Sequence, residues 1–280
     1  MNEHCLTELQ KKLLDMLAWF DMFCRENDLT YYALGGTLLG AVRHQGFIPW
    51  DDDIDVGMPR EDYTKLEKLM RNKKYGDYIL ETQNSSNEDF CYPYTKLYDT
   101  STTLIENCRK PMVRGIYLDI FPLDGLGPDK VEANKWFKKI ILENLFFVSR
   151  ITSLRKGREI KKNIAVLLSR MIPSFIVNNV KLRKDIDKKC QRYSLKESTY
   201  GGNLLGNWGE REITPVEIIS EPVEYQFENI KIYGFKDYDA YLTRVYGDWR
   251  KLPPKEKQVT HHDFVKCDLH KSYLEYNKKQ

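Results

Sequence analysis

Residues 51–56 read Asp-Asp-Asp-Ile-Asp-Val, and that run limits sharply what the chain can fold into. Alternation of Asp53, Ile54, Asp55, Val56 and Gly57 has the period of a β-strand, which sends successive side chains to opposite faces. Asp51, Asp53 and Asp55 would then share one face, while Ile54 and Val56 pack into a core. Carboxylates gathered on one face repel each other unless a cation neutralises them. Hard oxygen donors of this kind suit magnesium or manganese. An acidic surface turn, with at most a weak calcium site, is the alternative.

Upstream stands Leu34-Gly35-Gly36-Thr37-Leu38-Leu39-Gly40, read as a short strand over 30–34, a glycine bend and a short helix capped by Thr37. Paired glycines let backbone approach phosphate oxygens closely, and the helix start offers free N–H groups. Alone the pair is ordinary turn chemistry; ahead of an acidic strand it reads as phosphate binding.

Asp119 interrupts the apolar run Tyr117-Leu118-Asp119-Ile120-Phe121, where an unpaired charge is costly. A shared metal would supply its partner, and an ion pair to Lys or Arg is the other reading. The strand over 116–121 is expected to end at Pro122, leaving Asp124 as a turn residue behind the site. Further strands are expected at 78–82, 94–98, 102–105, 223–227 and 230–232, and helices at 6–27, from 59–60 onward and at 238–245.

The charge is uneven. Residues 130–189 hold sixteen Lys and Arg against five Asp and Glu, an excess that leaves the rest of the chain acidic. This basic, helical stretch, broken at Gly157 and Pro173, has apolar patches suited to peripheral contact with an anionic membrane. A helical cap with a solvated basic face explains it equally well. It lacks a recognition motif with interleaved aromatics, so nucleic acid is not an expected partner. The six cysteines show no CxxC pairing, which argues against zinc and for free thiols. No apolar run approaches a membrane span and the polar start does not read as a signal peptide, so a cytoplasmic protein is expected.

These motifs resemble the LicD family, which is related to fukutin and belongs to the nucleotidyltransferase superfamily. The matching blocks are YALGGTLLGAVRHQGFIPWDDDIDVGMPREDY over 32–63, YTKLYD over 94–99, YLDIFPLDG over 117–125 and YGDW over 246–249 with Pro253-Pro254. The resemblance implies an α+β fold: a nucleotidyltransferase-like mixed sheet flanked by helices. Its catalytic core would span 1–128, a basic helical insertion 129–195, and a C-terminal part packing back on the core 196–280. It also implies transfer of a phospho-alcohol, typically phosphocholine from CDP-choline, onto a sugar of a cell-surface glycan, teichoic acid or lipid-linked precursor, releasing CMP.

On the family pattern, Gly35-Gly36 forms the turn, Asp53 and Asp55 are the paired metal carboxylates, and Asp119 is the third. Arg43 and Lys96 lie in matching blocks and are expected on donor phosphates, with Thr37 at the phosphate turn. Trp50 would wall the pocket or stack on the ligand, with core packing as its alternative. His44 and Asp248 are expected to be structural, and His261 and His262 either close over the site or stay solvated. One departure is the spacing: sixteen residues separate Gly36 from Asp53, more than in minimal members of the superfamily. Rival chemistries are nucleotidyl transfer, which leaves NMP on the acceptor, and metal-dependent glycosyl transfer.

Overall fold

The computed structural model describes residues 6–154, 159–173, 175–260 and 264–277. Helix α1 (Glu8–Glu26) starts at a capping box: Thr7 Oγ1 accepts from the Gln10 amide, and Gln10 Oε1 accepts from the Thr7 amide. Leu13, Leu17, Phe20 and Cys24 form its buried stripe. Gln10, also buried, donates through Nε2 to the Asp51 carbonyl at 2.9 Å and so ties this helix to the acidic segment.

The chain continues through β1 (Tyr32–Ala33), α2 (Gly35–His44), β2 (Asp55–Pro59) and α3 (Arg60–Met70). Next come β3 (Lys74–Tyr75), β4 (Tyr78–Glu81), β5 (Thr95–Asp99), β6 (Thr103–Glu106), β7 (Met112–Arg114) and β8 (Tyr117–Gly125). Three helices follow, α4 (Lys130–Ile151), α5 (Ile160–Arg170) and α6 (Asn179–Cys190). The remainder holds β9 (Tyr200–Asn203), β10 (Thr214–Pro215), the hairpin β11 (Pro222–Phe227) and β12 (Ile230–Phe235), α7 (Tyr238–Tyr246), β13 (Phe264–Asp268) and α8 (Tyr273–Asn277).

The architecture is α+β, as expected. The main sheet runs β1-β2-β8-β5-β4-β3, with β9 on β8 and β10 on β9. Its β2–β8 pair is parallel and its other pairs are antiparallel. A second sheet orders β13-β6-β7. Segment 196–280 does not stand apart, because β9 bonds to the central strand β8 and the core cluster draws on all parts of the chain.

Two local expectations are corrected. Strand β8 runs through Pro122 to Gly125 instead of ending there. On one flank β5 pairs only as far as Ile120 and β9 begins at Leu123, so Pro122 sits in the gap, where no ladder N–H is required. Asp124 is accordingly a strand residue and 1% exposed. Arg60 grips it with two hydrogen bonds of 2.8 and 2.6 Å and reaches Asp187 on α6 at 2.8 Å, bolting the helical segment to the sheet. The helical stretch breaks at Pro173, between α5 and α6; Gly157 lies outside the described residues. No helix among the described residues is long and apolar enough to cross a membrane.

Candidate active site

Parallel register sets Asp55 of β2 opposite Asp119 of β8, and antiparallel register sets Lys96 of β5 on the other side of Asp119. Laterally paired residues share a sheet face. Three neighbouring strands therefore present a row of carboxylate, carboxylate and ammonium. Lys96 Nζ lies 2.7 Å from Asp119 Oδ1, and Tyr94 donates its phenol to Asp119 Oδ2 at 3.3 Å. Lys96 is 1% exposed, its Nζ 3.2 Å from the Tyr117 ring centre and 3.8 Å from that of Tyr92. Asp119 is thus ion-paired, one of its two expected readings, and it also faces the acids.

The acids sit differently from a simple strand. Regular β2 begins only at Asp55, and the irregular backbone before it lets consecutive carboxylates converge. One oxygen from each of Asp51, Asp52 and Asp53 lies within 4.8 Å of the others. Burial, followed by the charges of Asp53, Asp119 and Asp51, pushes the Asp55 carboxyl well above its ordinary range, with Lys96 opposing.

Asp53, Asp55, Lys96 and Asp119 line one cavity of about 330 Å³, completed by Tyr92, Tyr94 and Tyr117. Its other walls include Glu106, Asn144 on α4, Leu205, Asn207 and Phe264. Asn144 Oδ1 is buried without a hydrogen-bond partner among the described residues, a polar group available to a ligand. The donor chemistry suits a hard divalent cation. Several carboxylates face a single lysine, and Asp119 Oδ1 is buried without an aligned hydrogen bond among the described residues.

The glycine bend serves the acids directly. Helix α2 begins at Gly35, with Leu34 as its cap, so Thr37 lies inside the first turn and does not cap it. Its Oγ1 instead accepts from the Asp55 amide at 2.9 Å. Gly35 has φ +48°, and a Cβ added at Gly36 would come 2.5 Å from Asp51 Oδ2. The helix start therefore abuts the carboxylates, where its dipole favours negative charge. Neither glycine lines the cavity.

Arg43 and Trp50 also lie off the cavity lining. Arg43, near the end of α2, donates to the Trp249 carbonyl at 2.7 Å, and Trp50 packs against the core. His261 and His262 fall outside the described residues. Sequence reading missed Tyr92, Glu106, Asn144 and Asn207, which come from four separate stretches of chain. Only Tyr94 and Tyr117 carried a signal, as the first residues of matching blocks.

Residues 28–142 match the family described as LicD/FKTN/FKRP, nucleotidyltransferase domain. Over 266 residues the chain is 30% identical to the lipopolysaccharide cholinephosphotransferase LicD of Haemophilus influenzae, covering 94% of this chain and 97% of that protein. A stretch of 51 residues is 51% identical to the ribitol 5-phosphate transferase FKRP of Homo sapiens, 18% of this chain and 10% of the relative. An uncharacterised Rickettsia prowazekii protein, RP689, is 40% identical over 62 residues, 22% of this chain and 23% of its own length. Similarity of the first kind, over nearly the whole length of both proteins, makes this chain a member of the LicD family of phosphotransferases.

Proposed function

We propose that the protein transfers phosphocholine from CDP-choline to a hydroxyl of a cell-surface glycan, releasing CMP. The observation that carries this reading is the single cavity shared by Asp53, Asp55, Asp119 and Lys96. Choline is preferred over ribitol because the cholinephosphotransferase matches along the whole chain, whereas the ribitol phosphate transferase matches a short stretch.

Asp53, Asp55 and Asp119 would hold a magnesium or manganese ion, which supplies charge neutralisation for the donor phosphates. The acceptor oxygen forms a bond to the phosphorus that carries choline, and the bond from that phosphorus to the CMP oxygen breaks. Asp119 Oδ2, which accepts from the Tyr94 phenol, would take the acceptor's proton. Lys96 holds the other Asp119 oxygen and adds positive charge beside the phosphates. Asn144 Oδ1 and Asn207 would orient acceptor hydroxyls.

We also read the protein as cytoplasmic, with peripheral contact to the inner membrane face through the helical segment. Ile160, Ile164, Leu167 and Leu168 on α5 support this, being exposed among basic neighbours.

Asp53→Ala tests the assignment. With magnesium, CDP-choline and a glycan acceptor, CMP release should fall at least about 100-fold, the scale expected when an electrostatic contact to the transition state is lost. Circular dichroism should stay that of the wild type. Near-normal turnover would defeat the reading, and a nucleotide left on the acceptor, seen by product mass, would replace it with nucleotidyl transfer.

A further inference from the structure

A second cavity, of about 540 Å³, opens between the helical segment and the loops at 88–91 and 109–110, and meets the first at Cys91 and Ile151. Four cations line it: Arg109, Lys110, Arg150 and Arg170. Only Glu88 and Asp89 oppose them in that lining. Arg150 is the centre of the argument. It is 2% exposed, yet its hydrogen-bond partners among the described residues are all neutral: Asn179 Oδ1 at 2.7 Å and the carbonyls of Ser169, Ile172 and Val177 at 2.9–3.0 Å.

A guanidinium taken out of water is costly to hold without a counter-charge. Arg150 is further disfavoured by a second positive charge, that of Arg109. Arg170 adds a buried Nε with no hydrogen-bond partner among the described residues. The contrast with the rest of the chain is informative. Arg60 has two carboxylates and Arg114 has Glu81. Arg183, satisfied by carbonyls, lines neither cavity.

Cations outnumber carboxylates in this lining, and arginine forks match phosphate oxygens in particular. Resting on the reading that a glycan accepts the phospho-alcohol, we infer that this cavity binds a phosphate or diphosphate group carried by that acceptor. The shared wall at Cys91 and Ile151 would then let the acceptor's hydroxyl enter the catalytic cavity while its anionic end stays among the arginines. A phosphate of this kind could be borne by a soluble sugar phosphate or by a lipid-linked glycan. The rim is suited to the second, since Phe175 lines the cavity and is 87% exposed, with Ile176 and Met171 exposed beside it.

The test is calorimetric titration of the full chain with inorganic pyrophosphate in chelator, where the acidic cavity repels anions. Saturable binding is expected. It should weaken tenfold or more in the double variant Arg109→Gln, Lys110→Gln, whose side chains are exposed and do not jeopardise folding. It should survive in Asp53→Asn, which marks the catalytic cavity. Absence of binding, equal binding in the double variant, or loss in Asp53→Asn would each overturn the inference. Turnover is not read, so the outcome stands independently of the phosphotransfer assignment. A sugar phosphate and a long-chain alkyl diphosphate in neutral micelles form the two further arms. Whichever binds at least tenfold tighter than pyrophosphate, and responds to the double variant, identifies the source of the phosphate.

Discussion

Lys96→Met is the most informative single perturbation, because it removes the lysine charge from the catalytic row while keeping most of the side chain's volume. At 2.7 Å, a unit pair attracts by about 6 kcal/mol with an effective dielectric constant near 20. Desolvation of both groups offsets part of that. Removing one partner of a buried pair leaves the other uncompensated, which costs about 3–5 kcal/mol. Here the group left behind is Asp119, already beside Asp55. Urea unfolding in chelator, followed by tryptophan fluorescence, should show that loss against a total of about 5–15 kcal/mol for an ordinary fold. The double variant Lys96→Met, Asp119→Asn should lose only about 1–2 kcal/mol, less than the Lys96→Met single variant, since the stranded charge is gone. With saturating magnesium the single variant should recover at least about 1 kcal/mol, as Asp119 regains a positive neighbour. A single-variant loss below about 1 kcal/mol, or a double-variant loss equal to the sum of the singles, would refute the reasoning.

Gly36→Ala should cost activity more than stability, since the new methyl meets Asp51 Oδ2 at 2.5 Å and must push that carboxylate away; a CMP-release assay beside a melting curve checks this, and unchanged turnover would show that Asp51 is dispensable. Glu212 is buried near Trp208, and burial raises its carboxyl from 4.5 to about 8. Between those values the folded chain binds more protons than the unfolded one, so its contribution is complete below pH 4.5 and lost as pH rises toward 8. The slope is at most about 1.4 kcal/mol per pH unit, and Glu212→Gln should flatten it in urea titrations; an identical pH dependence in the variant would contradict the assignment.

Much of the scaffold was legible in the chain because it is set by near neighbours. The α1 stripe, the hairpin strands over 222–235 and the core-facing Ile54 and Val56 follow from periodicity. So did the acids themselves, since a strand that carries carboxylates among apolar residues announces a charge problem. Where that problem is solved, periodicity is silent. Register between distant strands put Asp119 beside Asp55 and Lys96, and the gap between β5 and β9 let a proline continue a central strand.

Tertiary packing also drew Asp124 into an ion triad with Arg60 and Asp187, kept Arg43 and Trp50 off the cavity lining, and brought Asn144 from the helical segment into it. It left Arg150 buried at a second cavity with no carboxylate among its hydrogen-bond partners in the described residues. Local sequence determines which groups need compensation, because desolvation acts on each side chain where it stands. Which partner supplies it depends on segments far apart in the chain, and only folding brings those together.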